Sequence, residues 1–307
     1  MRELGSKAPL CGFLNVLKPP GMSSAGVVGM VRRFLGGAKV GHGGTLDPEA
    51  AGVLPLMVGK ATRLFDYMQE KEKAYVAEVA FGIATDTQDA QGMPVLRGEN
   101  WPQEDALREI LPGFLGDIWQ HPPMFSALKQ EGKRLYELAR EGKSAQVPAR
   151  QVSVHALRLE RMTPGHGALL HVHCSKGFYV RTLCHDLGER LGCPAHLRFL
   201  LRTRSGVFTL DNAHTLETLE AAAQEGNLAK CLLPMEITLG HLPKAEVPRG
   251  LRRAFLNGSP LPWAALESLH GTPAEAGAAV CLLMEGRLAA ICCREQDHLK
   301  VMTWLYE

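Results

Sequence analysis

Residues 41–48 read GHGGTLDP, a glycine-rich turn that ends on one carboxylate, Asp47. Glycines let the backbone come close to a bulky partner, and Pro48 restricts the direction of the chain just after the acid. An apolar run over residues 50–58 follows directly. The stretch favours one rigid, exposed acid, although ordinary turn chemistry also explains an aspartate at such a place.

The composition around this turn is that of a globular protein. The chain has 307 residues, of which 46% are apolar, enough for one large domain and a small one. Its longest uninterrupted apolar stretch, AGAAVCLLM at 276–284, is too short to span a bilayer, and the first residues lack the pattern of a secretion signal. We therefore expect a cytoplasmic protein without membrane contact.

Cysteine and histidine spacing argues against metal binding. The eight cysteines form no C-x-x-C pair, and a chain of this size does not need disulfides, so we expect reduced thiols. His171 and His173 share a strand face, but no third ligand stands at useful spacing. We predict no metal site.

Charge is distributed unevenly behind a formal net charge of +2. Residues 1–63 carry eight Lys/Arg and three Asp/Glu, whereas residues 64–128 carry four and eleven. Residues 171–206 again are basic, with six Lys/Arg, among them Lys176 and Arg202, against two acids. Such runs are usually solvated faces, but the asymmetry also suits a partner lined with phosphates.

Hydrophobic periodicity indicates an α+β protein. The helical pattern that contains Arg181 in its first turn ends at Gly192, a suitable C-cap. Strand patterns alternate, so that Tyr75 shares one face with every second residue after it. Predicted helices are at 23–37, 103–111, 133–141, 178–192 and 215–225, and predicted strands at 73–82 and 167–175.

From about residue 240 the chain changes character. Two prolines and two glycines in GHLPKAEVPRG precede a short helical segment, LRRAFLNG. Residues 279–295 are typical of a hairpin that turns at Glu285–Gly286, and residues 299–307 of a closing strand. We expect a small β-rich domain over residues 240–307.

Five blocks of sequence, taken together, resemble the TruB-type tRNA pseudouridine synthases of bacteria over residues from about 13 to 210. Gly43 departs from the family loop GHTGTLDP, where threonine is usual, which bears on the stiffness of the loop. The blocks are KPPGMSS (18–24), GHGGTLDPEAAGVLPLMVGKATR (41–63), KAYVAEVAFGIATDTQDAQG (73–92), PPMFSALKQEGKRLYELAREG (122–142) and CSKGFYVRTLCHDLGERLG (174–192).

The resemblance implies both a fold and an activity. The expected architecture is a catalytic domain with a mixed or antiparallel sheet over residues 1–239 and a PUA-like RNA-binding domain over residues 240–307. The expected activity is isomerisation of the uridine at position 55 in the T loop of tRNA, without cofactor or metal, by a monomer that binds the T arm.

The resemblance also assigns a catalytic constellation. Asp47 is the expected catalytic residue, which attacks the substrate or removes a proton from the sugar. A carboxylate in a closed site needs a countercharge to stay ionised, and Arg181 is the expected source. A uridine inside folded RNA must leave the stack to react, and Tyr75 is expected to stack on the flipped base.

Further candidates surround these three residues. His42 resembles the family histidine that occupies space inside the RNA loop, and Tyr179 and Leu200 match positions that line the family's pocket. Lys18 and Lys60 are either structural or contact phosphate, and Lys176 and Arg202 are candidate substrate contacts in the basic stretch.

Other functions fit the residues less well. GHGGTL and VGKAT lack the spacing of nucleotide-binding glycine loops, and Asp47 with Glu49 does not supply the separately placed carboxylates of a glycosidase. Two alternatives remain open. One is a catalytically silent RNA-binding or tRNA-folding protein, and the other is a pseudouridine synthase that acts on a different RNA.

Overall fold

The computed structural model describes residues 10–67, 72–123, 125, 129–130, 133–134, 147–270 and 277–306. The strands before residue 240 are β1 (Gly12–Lys18), β2 (Val40–His42), β3 (Ala51–Val58), β4 (Lys73–Phe81), β5 (Ile83–Thr85), β6 (Pro94–Arg97), β7 (Gly116–Gln120), β8 (Lys129–Gln130), β9 (Lys133–Arg134), β10 (Arg150–Thr163), β11 (Gly167–Cys174), β12 (Ala195–Ser205) and β13 (Phe208–Thr209). The α-helices are α1 (Ser24–Phe34), α2 (Glu104–Ile110), α3 (Val180–Leu191), α4 (Leu216–Gln224) and α5 (Arg252–Leu256).

Within the described residues, the larger sheet has the strand order β1-β3-β12-β4-β11-β10-β7, with β2 paired to β3 and β13 to β12. β12 runs parallel to β3, and the other pairs are antiparallel, so the sheet is mixed. This bears out the predicted α+β class with a mixed sheet. The alternation in β4 buries Tyr75, Ala77, Val79 and Phe81, as predicted.

Local capping explains where the helices begin and end. The Ser23 side chain accepts a hydrogen bond from the Gly26 amide at the start of α1. Gly192 adopts a left-handed conformation with φ of 64° and ends α3, as the sequence predicts. Position 188 inside α3 requires glycine, because a Cβ there would lie 2.6 Å from the Cys193 carbonyl oxygen.

The helix predicted at 133–141 is wrong at its start. Lys133 and Arg134 form β9, which pairs with Lys129 and Gln130 of β8. Lysine and arginine are good helix formers, but helix propensity is a small local effect that pairing with a neighbouring strand overrides. Residues 135–141 lie outside the described part of the chain.

The C-terminal part forms a second sheet in the order β15-β19-β18-β17-β14-β16. The predicted hairpin turns at Glu285 and Gly286, whose φ angles of 55° and 72° are those of a tight two-residue turn. The strands are β14 (Lys244–Glu246), β15 (Leu261–Pro262), β16 (Glu267–His270), β17 (Ala279–Met284), β18 (Arg287–Glu295) and β19 (His298–Trp304).

One apolar cluster joins the two sheets. Phe13 and Val53 of the larger sheet pack in it with Cys281 and Ile291 of the smaller one and with Leu305, which follows β19. The division at residue 240 and the PUA-like assignment stay predictions. Across the described residues, no helix has the length and apolar character needed to cross a membrane.

Six short 3-10 segments connect these elements within the described residues. The segment after β3 matters most here, because its side chains contact the C-terminal sheet. The segments are Gly59–Tyr67, Leu111–Phe114, Leu228–Cys231, Met235–Thr238, Arg249–Leu251 and Trp263–Ala265.

Candidate active site

The loop that carries Asp47 joins β2 to β3 and is held from two sides. Lys18, at the end of β1, is fully buried, and its ammonium donates to the carbonyls of Pro48 and Ala50 at 2.8 and 2.7 Å and to that of its neighbour Pro19. Burial lowers the pKa of Lys18 to about 8, so the ammonium still predominates at pH 7. These contacts clamp the chain on the C-terminal side of Asp47.

A serine fixes the residue before the acid. The Ser24 hydroxyl, at the start of α1, accepts from the Leu46 amide and donates to the Leu46 carbonyl, both at 2.9 Å. The hydroxyl therefore satisfies both backbone groups of the residue next to Asp47. The KPPGMSS and GHGGTLDP blocks act as one structural unit.

Arg202 of β12 supports the loop from beneath. This side chain is completely buried, and its Nε donates to the Val53 carbonyl at 2.7 Å. Its two terminal nitrogens donate to the carbonyls of Thr45 and Gly44, both at 3.3 Å. The expectation of a substrate contact needs correction, because Arg202 has no exposed surface to offer and its donors already serve the loop.

Asp47 lies against the first turn of α3. Arg181 approaches its Oδ2 with Nε at 3.1 Å and approaches Oδ2 of a second carboxylate, Asp89, with Nη1 at 3.6 Å. The guanidinium also donates to the carbonyls of Thr87 and Phe125 at 3.2 and 2.9 Å. Its side chain is only 6% exposed, so four acceptors hold it in one orientation.

Asp47 keeps 44% of its side-chain surface exposed while the rest is enclosed. Burial raises the pKa of this carboxyl above its ordinary value, and Asp89 raises it further. Arg181, Lys18 and Arg202 all lower the Asp47 pKa without reversing the rise. The result is a carboxylate that is less well solvated than that of a surface aspartate.

The exposed side of Asp47 opens into a cavity of about 280 Å³. Tyr75 stands in its wall with 7% of its surface exposed, and burial raises the pKa of its hydroxyl to about 12, which keeps it protonated. The structure brings five predicted residues to this cavity, namely Asp47, Tyr75, Tyr179, Arg181 and Leu200. The remaining lining residues are Thr45, Leu46, Lys73, Gly177, Phe178 and Val180.

The comparisons with known proteins match this chain nearly from end to end. The model for the N-terminal domain of TruB family pseudouridylate synthases matches residues 32–180, and the model for the tRNA pseudouridylate synthase B C-terminal domain matches residues 181–240. A tRNA pseudouridine synthase B of Alkaliphilus oremlandii is 40% identical over 301 residues, 96% of this chain and 99% of that protein. The chain belongs to the TruB family of pseudouridylate synthases. This confirms the resemblance that the five sequence blocks carry.

Other family members and solved structures agree. A tRNA pseudouridine synthase B of Moorella thermoacetica is 49% identical over 251 residues, 80% of this chain and 82% of that protein. A chain in a Cbf5-Nop10-Gar1 complex is 27% identical with a TM-score of 0.70, covering 94% of this chain and 83% of that one. A chain of an H/ACA RNP bound to a substrate RNA containing 2′-deoxyuridine shares the fold, with a TM-score of 0.72 at 24% identity over 99% and 93% of the two chains.

Tyr179 lines the cavity, whereas His42 is not among its lining residues. The amide and carbonyl of Tyr179 are both bound by the side chain of Gln120, at 2.9 and 3.2 Å, which sets the start of α3. His42 ends β2, and its Nδ1 is buried with no hydrogen-bond partner among the described residues. Burial, and the nearby Arg202, lower the pKa of His42 below its ordinary value, which favours a neutral ring.

Neither of the predicted lysines Lys60 and Lys176 lines the cavity. The Lys60 ammonium donates to the carbonyl of Tyr306 and so ties the segment after β3 to the C-terminal strand. This contact fits the structural reading of Lys60 that the sequence left open. Lys176 is exposed in the turn between β11 and α3, next to the cavity-lining Gly177.

Sequence reasoning missed three residues of the site. Lys73 lines the cavity, Asp89 shares Arg181 with Asp47, and Gln120 anchors Tyr179. The alternation of β4 could have found Lys73, because it stands two residues before Tyr75 on the same strand face. Nothing in the local sequence marks the other two. In the described part of the chain, no three His, Cys, Asp or Glu side chains are grouped to hold a metal ion.

Proposed function

We propose that this protein converts uridine to pseudouridine in tRNA, at position 55 in the T loop. The observation that carries the proposal is the Asp47–Arg181 ion pair at 3.1 Å. Both residues line a cavity that Tyr75 also lines, in a chain that belongs to the TruB family. Relatives named tRNA pseudouridine synthase B, at 40–49% identity over most of the chain, support tRNA as the substrate.

The chemistry requires no redox step. The bond from ribose C1′ to N1 of the base breaks, the base rotates, and C5 forms the new bond to C1′. C5 then loses its proton and N1 gains one, so the product is an isomer of the substrate and atoms and electrons balance. Asp47 acts either as a nucleophile or as a base toward the sugar, and both roles need the ionised carboxylate. Arg181 keeps it ionised, because a guanidinium at this distance offsets much of the desolvation.

The shape of the cavity suits a base that has left its stack. A flipped base needs a planar contact and apolar walls, which Tyr75, Tyr179 and Leu200 supply around Asp47. His42 lies at the start of the same loop and is assigned to fill space within the RNA. The T arm is the proposed RNA element, and the proposed working form is a cytoplasmic monomer.

The supporting framework is proposed to act by positioning. Lys18, Ser24 and Arg202 bind backbone groups of the loop and of the strand that follows it, at distances of 2.7–3.3 Å, and Arg202 also forms a hydrogen bond with the Tyr75 side chain. Their task is to hold Asp47 at a fixed distance from Arg181. Substituting them is expected to lower rate and stability together.

The test is incubation with an unmodified tRNA transcript, followed by mapping of pseudouridine through carbodiimide-dependent primer extension. The expected result is one modified site, at position 55, that disappears with Asp47→Asn. Modification at another position or only in another RNA would support the alternative substrate. Tight tRNA binding with no pseudouridine at any enzyme concentration would support the catalytically silent alternative.

A further inference from the structure

Two cationic side chains lie beside the cavity, and no anionic partner for either is found among the described residues. Lys73 begins β4 and lines the cavity, and Arg150 begins β10 on the far side of β11. β11 bridges them, because Cys174 at its end pairs with Lys73 and leads directly into the turn that Arg150 contacts. The two charges are close enough that Arg150 lowers the pKa of Lys73.

Arg150 is held in place by a cation–π contact with Tyr179 and by close packing against Gly177. Its guanidinium carbon lies 4.7 Å from the ring centroid of Tyr179, a wall residue of the cavity. A Cβ on Gly177 would come within 3.2 Å of Nη1, so this glycine lets the guanidinium lie against the turn. Its Nε and Nη2 are buried, yet neither has a hydrogen-bond partner in the described structure.

Unpaired buried donors on a cation are costly. Nearly all buried polar groups in proteins find partners, and the exceptions call for an explanation such as an absent ligand. A neutral donor could be satisfied by water, but a guanidinium held on an aromatic ring beside a second cation favours an anion. Unlike Arg202, Arg150 is only partly buried, so its guanidinium can meet a negatively charged group at its exposed edge.

Lys73 lacks a countercharge in the same place. Burial and the neighbouring charges of Arg202 and Arg150 lower the pKa of Lys73 to about 8. The opposing influence comes from Cys174, but burial raises the pKa of that thiol to about 12, so it is neutral at pH 7. Among the described residues, no carboxylate offsets the charge of Lys73.

We propose that Lys73 and Arg150 form a phosphate clamp, which holds a phosphodiester flanking the uridine that enters the cavity. A nucleotide that enters base first leaves its phosphates at the rim, where these two cations lie. The Asp47 carboxylate repels a phosphate from the interior, so the clamp also sets how far the ribose can enter. This inference rests on the proposed function and adds the group that positions the flipped nucleotide.

The test replaces the charge on the RNA as well as the charge on the protein. A full-length tRNA is ligated from synthetic segments with a neutral methylphosphonate on the 5′ or the 3′ side of the target uridine. Single-turnover rates and affinities are measured for the wild type, Arg150→Gln and Lys73→Gln. On ordinary tRNA each variant is expected to lose about 10- to 100-fold in rate constant divided by Kd, as for one charged hydrogen-bonding contact.

The diagnostic result is non-additivity. At one of the two positions, the methylphosphonate should cost the wild type a similar factor and cost Arg150→Gln little more, because the partner charge is already absent. Arg161→Gln removes the same charge from an exposed position at the other end of β10 and should stay within about twofold of wild type on every RNA. Thermal unfolding checks that each variant is folded.

The proposal is overturned if neither methylphosphonate weakens the wild type, a result that needs no protein variant. It is also overturned if the losses from Arg150→Gln and from the neutral linkage simply multiply at both positions. Pseudouridine formed by the wild type on ordinary tRNA tests the proposed function separately. Success there with additive losses here rejects only the clamp.

Discussion

Asp47→Asn is the most informative single change. The amide keeps the size of the side chain and an oxygen to accept from Arg181 Nε, but it removes the charge. Asp89 cannot substitute, because it approaches Arg181 from Nη1 at 3.6 Å and does not line the 280 Å³ cavity. Loss of acid–base help alone costs about 10²–10⁴-fold, so the loss of the acting carboxylate should reach at least about 10⁴-fold, or about 5.4 kcal/mol of barrier.

The assay is pseudouridine formed per enzyme in one turnover at saturating tRNA, with affinity measured in parallel. The affinity for tRNA should be unchanged or slightly higher, because the substitution removes a negative charge from a site that faces RNA phosphates. Asp89→Asn is the matched control, because it neutralises the other carboxylate on the same guanidinium. We expect it to retain at least about a tenth of the rate, a loss below the low end for an acid–base group.

Two outcomes refute this reasoning. The first is an Asp47→Asn rate above about a tenth of wild type, which is more than the loss of even a weak acid–base group allows. The second is an equal loss in Asp89→Asn, which would show that neutralising either partner of Arg181 stops the enzyme and that Asp47 has no special part.

Three further predictions follow from the same geometry. Arg181→Lys should lower the rate about 10-fold or more while the protein stays folded, because one ammonium cannot replace the planar guanidinium that binds Asp47 and two carbonyls. An unchanged single-turnover rate would contradict this. The pKa of Asp47 is raised and the ionised form acts, so the rate should begin to fall at a pH above the pKa of an ordinary aspartate. A pH–rate profile that stays flat down to the pKa range of ordinary carboxyl groups would contradict this. Gly52→Ala should lower the free energy of unfolding, measured in urea, by at least about 2 kcal/mol. Gly52 has φ of 112°, and a Cβ there would lie 2.2 Å from the Arg202 carbonyl oxygen. A decrease below about 0.5 kcal/mol would contradict that clash.

Strongly periodic elements were predictable because their side chains alone specify one buried face. The alternation in β4 and the helical spacing in α3 needed no long-range information, and Gly192 and Gly286 marked ends where φ is positive. β12 escaped prediction although it lies inside the sheet, between β3 and β4. Its register shifts between Leu197 and Phe199 and between Arg202 and Arg204, and each bulge breaks the period of two.

The site was predictable in its chemistry and less so in its supports. Asp47, Tyr75, Tyr179, Arg181 and Leu200 were named from motifs, and all line one cavity. The basic residues were harder, because a sequence shows charge but not solvent exposure. Lysine and arginine are mostly exposed in proteins, so the buried exceptions are visible only once the chain is folded.

The sequence by itself determined the local structures of the candidate site, since the glycine-rich loop, its single carboxylate and the first turn of α3 follow from residue type and spacing. The family resemblance named the candidate catalytic groups on them. Only the tertiary structure decided the environment of each charge. The parallel pairing of β3 with β12 places Arg202 under the Asp47 loop, and β11 places Arg150 near Lys73. Burial and charge proximity arise from contacts between distant segments, which no local pattern records.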